Sequence, residues 1–117
     1  MASTTVPVHV TDHVGRRYPE ELEAAVYFCC QEAIQNAVKH AQASRIMVLV
    51  DDRDGDLRFE VADDGQGFDQ SRARPGVGMQ NMADRIAAAA GSLDVDSRRG
   101  GGTTVRGRVP ALVAVGS

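Results

Sequence analysis

The sequence predicts an α+β domain, a two-layer sandwich in which a mixed, mainly antiparallel sheet carries its helices on one face. Three observations predict it. Residues 19–41 place Leu22, Val26, Cys29, Cys30, Ala33 and Ala37 on one stripe at helical spacing. Residues 46–50 (IMVLV), a short apolar run, and 57–61 (LRFEV), a second short strand, flank Asp54-Gly55, a pair suited to a tight hairpin turn. A second helical pattern over 77–90 and a final strand pair complete two helices among five short strands, a layered arrangement.

Each element has a local reason. Residues 6–11 (VPVHVT) alternate loosely and read as an edge strand, where Pro7 is tolerated. Arg16-Arg17-Tyr18-Pro19 is a connector, and Pro19 opens a helix whose first turn holds Glu20, Glu21 and Glu23, matched to the positive end of the helix dipole. Residues 46–50 form a buried strand and 57–61 its hairpin partner. Residues 71–75 are polar and Arg-rich, the composition of a mobile loop. The helix over 77–90 is closed by Gly91 as its C-terminal cap, and strands at 93–96 and 104–109 flank Arg99-Gly-Gly-Gly.

A chain of 117 residues makes one domain, 1–117, with a modest core. Its net charge of −3 argues against nucleic-acid binding, and 4% aromatics with no Trp argue against base stacking. No apolar run approaches the roughly 18 residues of a membrane span and no signal peptide is evident, so direct membrane contact is not expected and the location reads as cytoplasmic. Cys29 and Cys30 are neighbours on a helix, pointing about 100° apart, and read as small buried residues rather than a bridge.

The chemistry gathers at a few places. Glu32, Asn36, Lys39 and His40 fall within an arc of about 100° bordering the apolar stripe, so one helix offers an acid, an amide, an amine and an imidazole along a cleft wall. Lys39 is the single lysine among 13 basic residues. Asp63-Asp64-Gly65-Gln66-Gly67 follows a strand, and Gly76-Val77-Gly78-Met79 opens a helix, where free N–H groups favour phosphate. The dinucleotide fingerprint fails, because Asn81 stands where a third Gly belongs and no strand precedes. His9-x-x-x-His13 lies on strand and loop without a further ligand, and the acidic run 51–56 puts Leu57 at the glycine position of a calcium loop; both are set aside.

Together these segments resemble the ATP-binding module of sensor histidine kinases, in the superfamily that includes gyrase, the mismatch-repair ATPases and Hsp90-type chaperones, with its Bergerat fold. Residues 32–40 resemble the family's N-box, 63–67 its first glycine box, 76–78 its second, and Gly102-Thr103 the opening of its last strand, in family order over roughly 6–110. The resemblance implies ATP and Mg²⁺ as cofactors. It implies that Asp63 reads adenine: a carboxylate only accepts hydrogen bonds, so it selects the exocyclic amine over guanine's carbonyl. Capping of a turn is the alternative reading of Asp63. Asn36 is the implied Mg²⁺ ligand, a neutral hard oxygen. Lys39 and His40 are implied phosphate contacts, or cations that suit a helix C-terminus. Glu32 is the implied proton-transfer or water-orienting residue. Gly65, Gly67, Gly76, Val77, Gly78, Met79 and Thr103 complete the nucleotide contacts.

The implied activity is transfer of the ATP γ-phosphoryl group to a histidine on a separate dimerisation domain, because His9, His13 and His40 lack an acceptor's helical, acidic setting. A monomeric catalytic domain excised from a longer kinase is expected, with the parent a homodimer that is free to be membrane-anchored. The short span 68–75 and the missing Phe-containing box resemble the NarL-linked kinases, whose partner is a DNA-binding response regulator. An anti-sigma-factor-type serine kinase and a non-catalytic nucleotide switch share the same boxes.

Overall fold

The computed structural model describes residues 6–69 and 77–110. Along the chain run β1 (Val8–His13), α1 (Glu20–Lys39), β2 (Ile46–Arg53), β3 (Asp56–Asp63), α2 (Val77–Ala88), β4 (Ser92–Ser97) and β5 (Thr103–Pro110). The five strands form one sheet in the order β1-β2-β3-β5-β4. β1 pairs parallel to β2 and every other pair is antiparallel. The two helices pack on each other and on one sheet face, as the sequence predicts. No helix among the described residues is long and apolar enough to cross a membrane.

α1 starts where expected. Pro19 is its N-cap, and the Pro19 carbonyl accepts from the Leu22 and Glu23 amides at 2.9 and 3.1 Å. Arg17 grips Glu23 through two bonds of 2.9 and 2.8 Å, and the Tyr18 amide donates to the same carboxylate at 3.1 Å. The Arg17 hydrogen bond, the Tyr18 amide and the guanidinium charge hold Glu23 down to about 2. At the other end Gln42 takes φ 52 and the Ala43 amide reaches back to the Ala37 carbonyl at 3.3 Å. The hairpin between β2 and β3 turns at Asp54 (φ 55) and Gly55 (φ 85), the doubly left-handed turn that matches strand twist.

The core lies between helices and sheet. Ile46 and Val48 of β2, Leu57, Phe59 and Val61 of β3, and Val105 and Val109 of β5 are buried against Cys29, Ala33 and Ala37 of α1 and Met82 and Ile86 of α2. Alternation along each strand thus marks the helix-facing positions, and Asp63 and Thr103 fall on that same face, one step beyond Val61 and Val105.

Element boundaries shift by up to three residues from expectation, and two of the shifts have a clear physical reason. The first strand is 8–13 rather than 6–11, leaving Pro7 outside the ladder, where its carbonyl accepts the Ile46 amide at 3.0 Å. The second helix ends at Ala88 and is not capped by a left-handed Gly91. Ala90 takes the left-handed conformation at φ 60, its amide bonds the Ala87 carbonyl at 3.0 Å, and the Gly91 amide bonds Ile86 at 2.9 Å, a Schellman closure shifted by one residue. Gly91 is glycine for another reason: a Cβ there would lie 2.1 Å from the Arg108 carbonyl oxygen. Because alanine is strained at positive φ, Ala90→Gly is expected to stabilise the fold by about 0.5–1 kcal/mol and to raise the thermal midpoint by about 3–6 °C. A melt monitored by circular dichroism checks this; a lowered midpoint contradicts the cap assignment.

Candidate functional site

Glu32 and Asn36 are half-buried on α1, at the edge of the stripe formed by Cys29, Ala33 and Ala37. The first turn of α2 meets them there. A Cβ on Gly78 would lie 2.5 Å from Glu32 Oε2 and 3.4 Å from Asn36 Oδ1, so the glycine admits both polar groups to one spot. Met79 packs against the core beside them, Val77 begins the helix, and Gly76 and the Arg-rich segment 71–75 lie outside the described residues. Lys39 is the last residue of α1 and His40 its C-cap, both exposed. The His40 carbonyl accepts from Gln66 Nε2 at 3.0 Å.

The second part of the site is the end of the sheet. Asp63, last in β3, stands opposite Thr103, first in β5. Asp63 Oδ1 accepts the Gly65 amide at 2.8 Å, which is the turn-capping bond weighed above. A carboxylate has about four acceptor positions, so this bond leaves capacity for a ligand. Gly65 tucks beneath the end of α1: a Cβ there would lie 2.5 Å from the Ala41 carbonyl oxygen. The Gln66 amide donates to that same carbonyl at 2.8 Å. The turn that follows Asp63 therefore meets the C-terminal end of α1 through Gly65 and Gln66, while Gly78 meets Glu32 and Asn36 about one to two turns earlier on the same helix.

Several contacts that hold this geometry were not evident from sequence. Asp64 accepts the Ser44 amide at 2.8 Å, the Ser44 hydroxyl at 2.6 Å and the Arg45 amide at 2.9 Å, tying the loop after α1 to the end of β3. The Ser44 hydroxyl, then the two amides, hold the Asp64 carboxyl below its usual range. Gly67 (φ +62) and Gly102 (φ +76) interlock the glycine loop with the β4–β5 turn, their would-be Cβ atoms falling 2.1 Å from the Arg98 carbonyl oxygen and 2.2 Å from the Asp63 carbonyl oxygen. The buried Ser97 was also missed, although a signal existed: it is the polar residue in the helix-facing series Leu93, Val95, Ser97.

Other features are structural. Burial pushes the Cys29 thiol up to about 11 and the Cys30 thiol to about 12, so neither is a ready nucleophile at neutral pH. Cys29 Sγ points at the Met82 carbonyl oxygen, 3.8 Å away. His9 and His13 both lie on the exposed edge strand β1. A shallow groove on the opposite sheet face is bridged by Arg58–Asp51 at 2.9 Å, Arg106–Glu60 at 3.1 Å and Arg108–Asp56 at 2.8 Å, and its lining includes none of Glu32, Asn36, Lys39, His40, Asp63, Gly78 and Thr103.

Residues 21–113 match the model of the histidine kinase-, DNA gyrase B- and HSP90-like ATPases. The chain belongs to this family. Among curated members, the signal transduction histidine-protein kinase/phosphatase DegS of Brevibacillus brevis is 34% identical over 101 residues, 84% of this chain and 26% of DegS. The oxygen sensor histidine kinase NreB of Staphylococcus carnosus is 32% identical over 108 residues, 88% of this chain and 31% of NreB. The chain thus spans about a quarter to a third of these ATPase-family relatives. Among solved structures, the histidine kinase domain of the Erythrobacter litoralis EL346 blue-light activated kinase superposes with TM-score 0.69 at 24% identity, over 89% of this chain and 52% of that one. The ATP-binding domain of PrrB from Mycobacterium tuberculosis superposes with TM-score 0.68 at 19% identity, over 91% of this chain and 82% of that one. At these identities the likeness is one of fold: the family's ATPase architecture, with its sheet and one-sided helices, is that of this chain.

Proposed function

We propose that this chain is the ATP- and Mg²⁺-binding catalytic domain of a two-component sensor histidine kinase, one domain over 1–117 within a longer cytoplasmic or membrane-anchored parent. The observation that carries the reading is the meeting of Glu32 and Asn36 with Gly78 on the same helix whose far end receives the Asp63 turn. That spacing suits one extended nucleotide, adenine at Asp63 and phosphates toward the first turn of α2.

Asp63, with Thr103 opposite it, presents acceptors to the adenine amine, while Gly65 and Gly67 allow the backbone to come close. Gly78 and the exposed amides at the start of α2 favour the phosphates, helped by Lys39 and His40 from the end of α1. An amide oxygen and a carboxylate beside Gly78 are hard donors of the kind Mg²⁺ takes, so the residues present fit the ion, with Asn36 its ligand. Bound there with ATP, Mg²⁺ would neutralise phosphate charge. Phosphoryl transfer needs mainly positioning and charge neutralisation, and Glu32 stands where it can take the acceptor's proton or orient a water.

The acceptor histidine belongs to the dimerisation helices of the parent, a homodimer whose response regulator is of the DNA-binding NarL type. The short span between Phe68 and Gly76 supports that subgroup, and the kinship with DegS and NreB is in keeping with it.

Titration of a fluorescent ATP analogue into the wild-type chain and Asp63→Asn tests the pocket. The variant presents a donor where adenine also donates, and binding is expected to weaken by about 1–3 kcal/mol, roughly 5- to 150-fold. Equal affinities would refute the adenine assignment.

A further inference from the structure

Ser97 is a buried polar residue at the last helix-facing position of β4, two residues beyond Val95. Among the described residues, three groups converge on its hydroxyl. The Phe68 amide donates to Oγ at 3.0 Å, the Gly102 carbonyl oxygen lies at 3.1 Å, and Thr103 Oγ1 lies at 2.8 Å. They come from three separate places: the residue that leaves the first glycine box, the β4–β5 turn, and the residue opposite Asp63.

The protons in this cluster can be assigned by chemistry. A serine hydroxyl has one proton and two lone pairs. The Gly102 carbonyl has no proton to give, so it takes the proton of Ser97. The Phe68 amide has no lone pair to offer, so it occupies one acceptor position of Ser97. The remaining acceptor position then falls to the Thr103 hydroxyl, which must donate. A Thr103 hydroxyl that donates inward to Ser97 turns its lone pairs outward, on the helix-facing side that it shares with Asp63.

We propose that Ser97 is a positioning residue of the nucleotide site, which makes Thr103 a hydrogen-bond acceptor beside Asp63 and pins Phe68 where the chain departs from the glycine box. The inference rests on the ATP reading above and deepens it. With Thr103 committed as an acceptor, the floor of the base pocket accepts at two neighbouring points, directly or through water. That surface suits the amine of adenine and opposes the carbonyl of guanine. Without the Ser97 hydroxyl, the Thr103 proton is free to turn toward the base, where it can serve guanine as well.

The test compares the wild-type chain with Ser97→Ala, titrating fluorescent ATP and GTP analogues in parallel and following exchange of the Phe68 amide by NMR without nucleotide. In Ser97→Ala, ATP affinity is expected to fall about tenfold, the effect of one buried group left unpaired. GTP affinity falls less, so the preference for ATP narrows, and the Phe68 amide exchanges faster. An unchanged ATP-to-GTP ratio overturns the proposal whatever the absolute affinities do, because general loosening of the pocket weakens both nucleotides alike. Should Ser97→Ala fail to fold, Ser97→Cys keeps the shape with a far weaker donor and carries the same comparison. Failure of the ATP reading itself is visible separately, as absence of binding by the wild-type chain.

Discussion

Glu32→Gln in the proposed full-length kinase is expected to slow histidine phosphorylation by about 10²–10⁴-fold while leaving ATP binding in place, the span over which positioned acid–base groups act. Glutamine keeps the shape and length of the side chain, so the approach of residue 32 to Gly78 survives. What is lost is the ability to accept a proton or to polarise a water with a full negative charge. The proposed parent is the right protein for this measurement, since the proposed acceptor histidine lies on a separate dimerisation domain. Transfer of labelled phosphate from ATP to the parent, followed in time beside a nucleotide titration, separates the two effects. An unaltered transfer rate with intact binding would remove Glu32 from the chemistry.

Gly102→Ala carries the largest expected loss of stability, about 3 kcal/mol or more, lowering the thermal midpoint by about 10–20 °C. Two causes add. Residue 102 sits at φ +76, where an L side chain is strained, and its Cβ would fall 2.2 Å from the Asp63 carbonyl oxygen. That oxygen is backbone within the β3–β5 pairing, where Asp63 opposes Thr103, so it cannot swing aside without opening the sheet at the base pocket. Nucleotide affinity should fall together with stability. Gly100 provides the control: its φ is +78, yet a Cβ there meets nothing within 4 Å. Gly100→Ala should therefore show the conformational cost alone, about 1–2 kcal/mol. Equal midpoints for the two variants would mean that the contact with Asp63 is not what constrains position 102.

The elements legible in the sequence were those whose causes lie within a few residues. Pro19 with three following glutamates opened α1, and Asp54-Gly55 turned the hairpin. Burial of Cys29, Ala33 and Ala37 followed from helical spacing, which also placed Glu32 and Asn36 on the border of the cleft. The helix cap at Ala90 was not legible, because propensity favours glycine at a left-handed position and here tertiary packing had already claimed Gly91 for its approach to Arg108. The span of β1 was misjudged for a related reason: an edge strand exposed along its length has no buried face to define its register, and pairing with β2 defined it instead.

By itself, then, the amino-acid order determined the element types, the one-sided apolar faces and the family boxes, since these depend on periodicity and short-range backbone preference. Tertiary structure alone decided that β5 inserts between β3 and β4, that Asp63 faces Thr103, that Gly78 meets Glu32 and Asn36, and that Ser97 joins Phe68, Gly102 and Thr103. Each of these joins residues distant in the chain or distributes a few protons among several acceptors. The physical reason is that such contacts are selected by the simultaneous closing of a packed core and a satisfied hydrogen-bond network, a condition no local window of sequence contains.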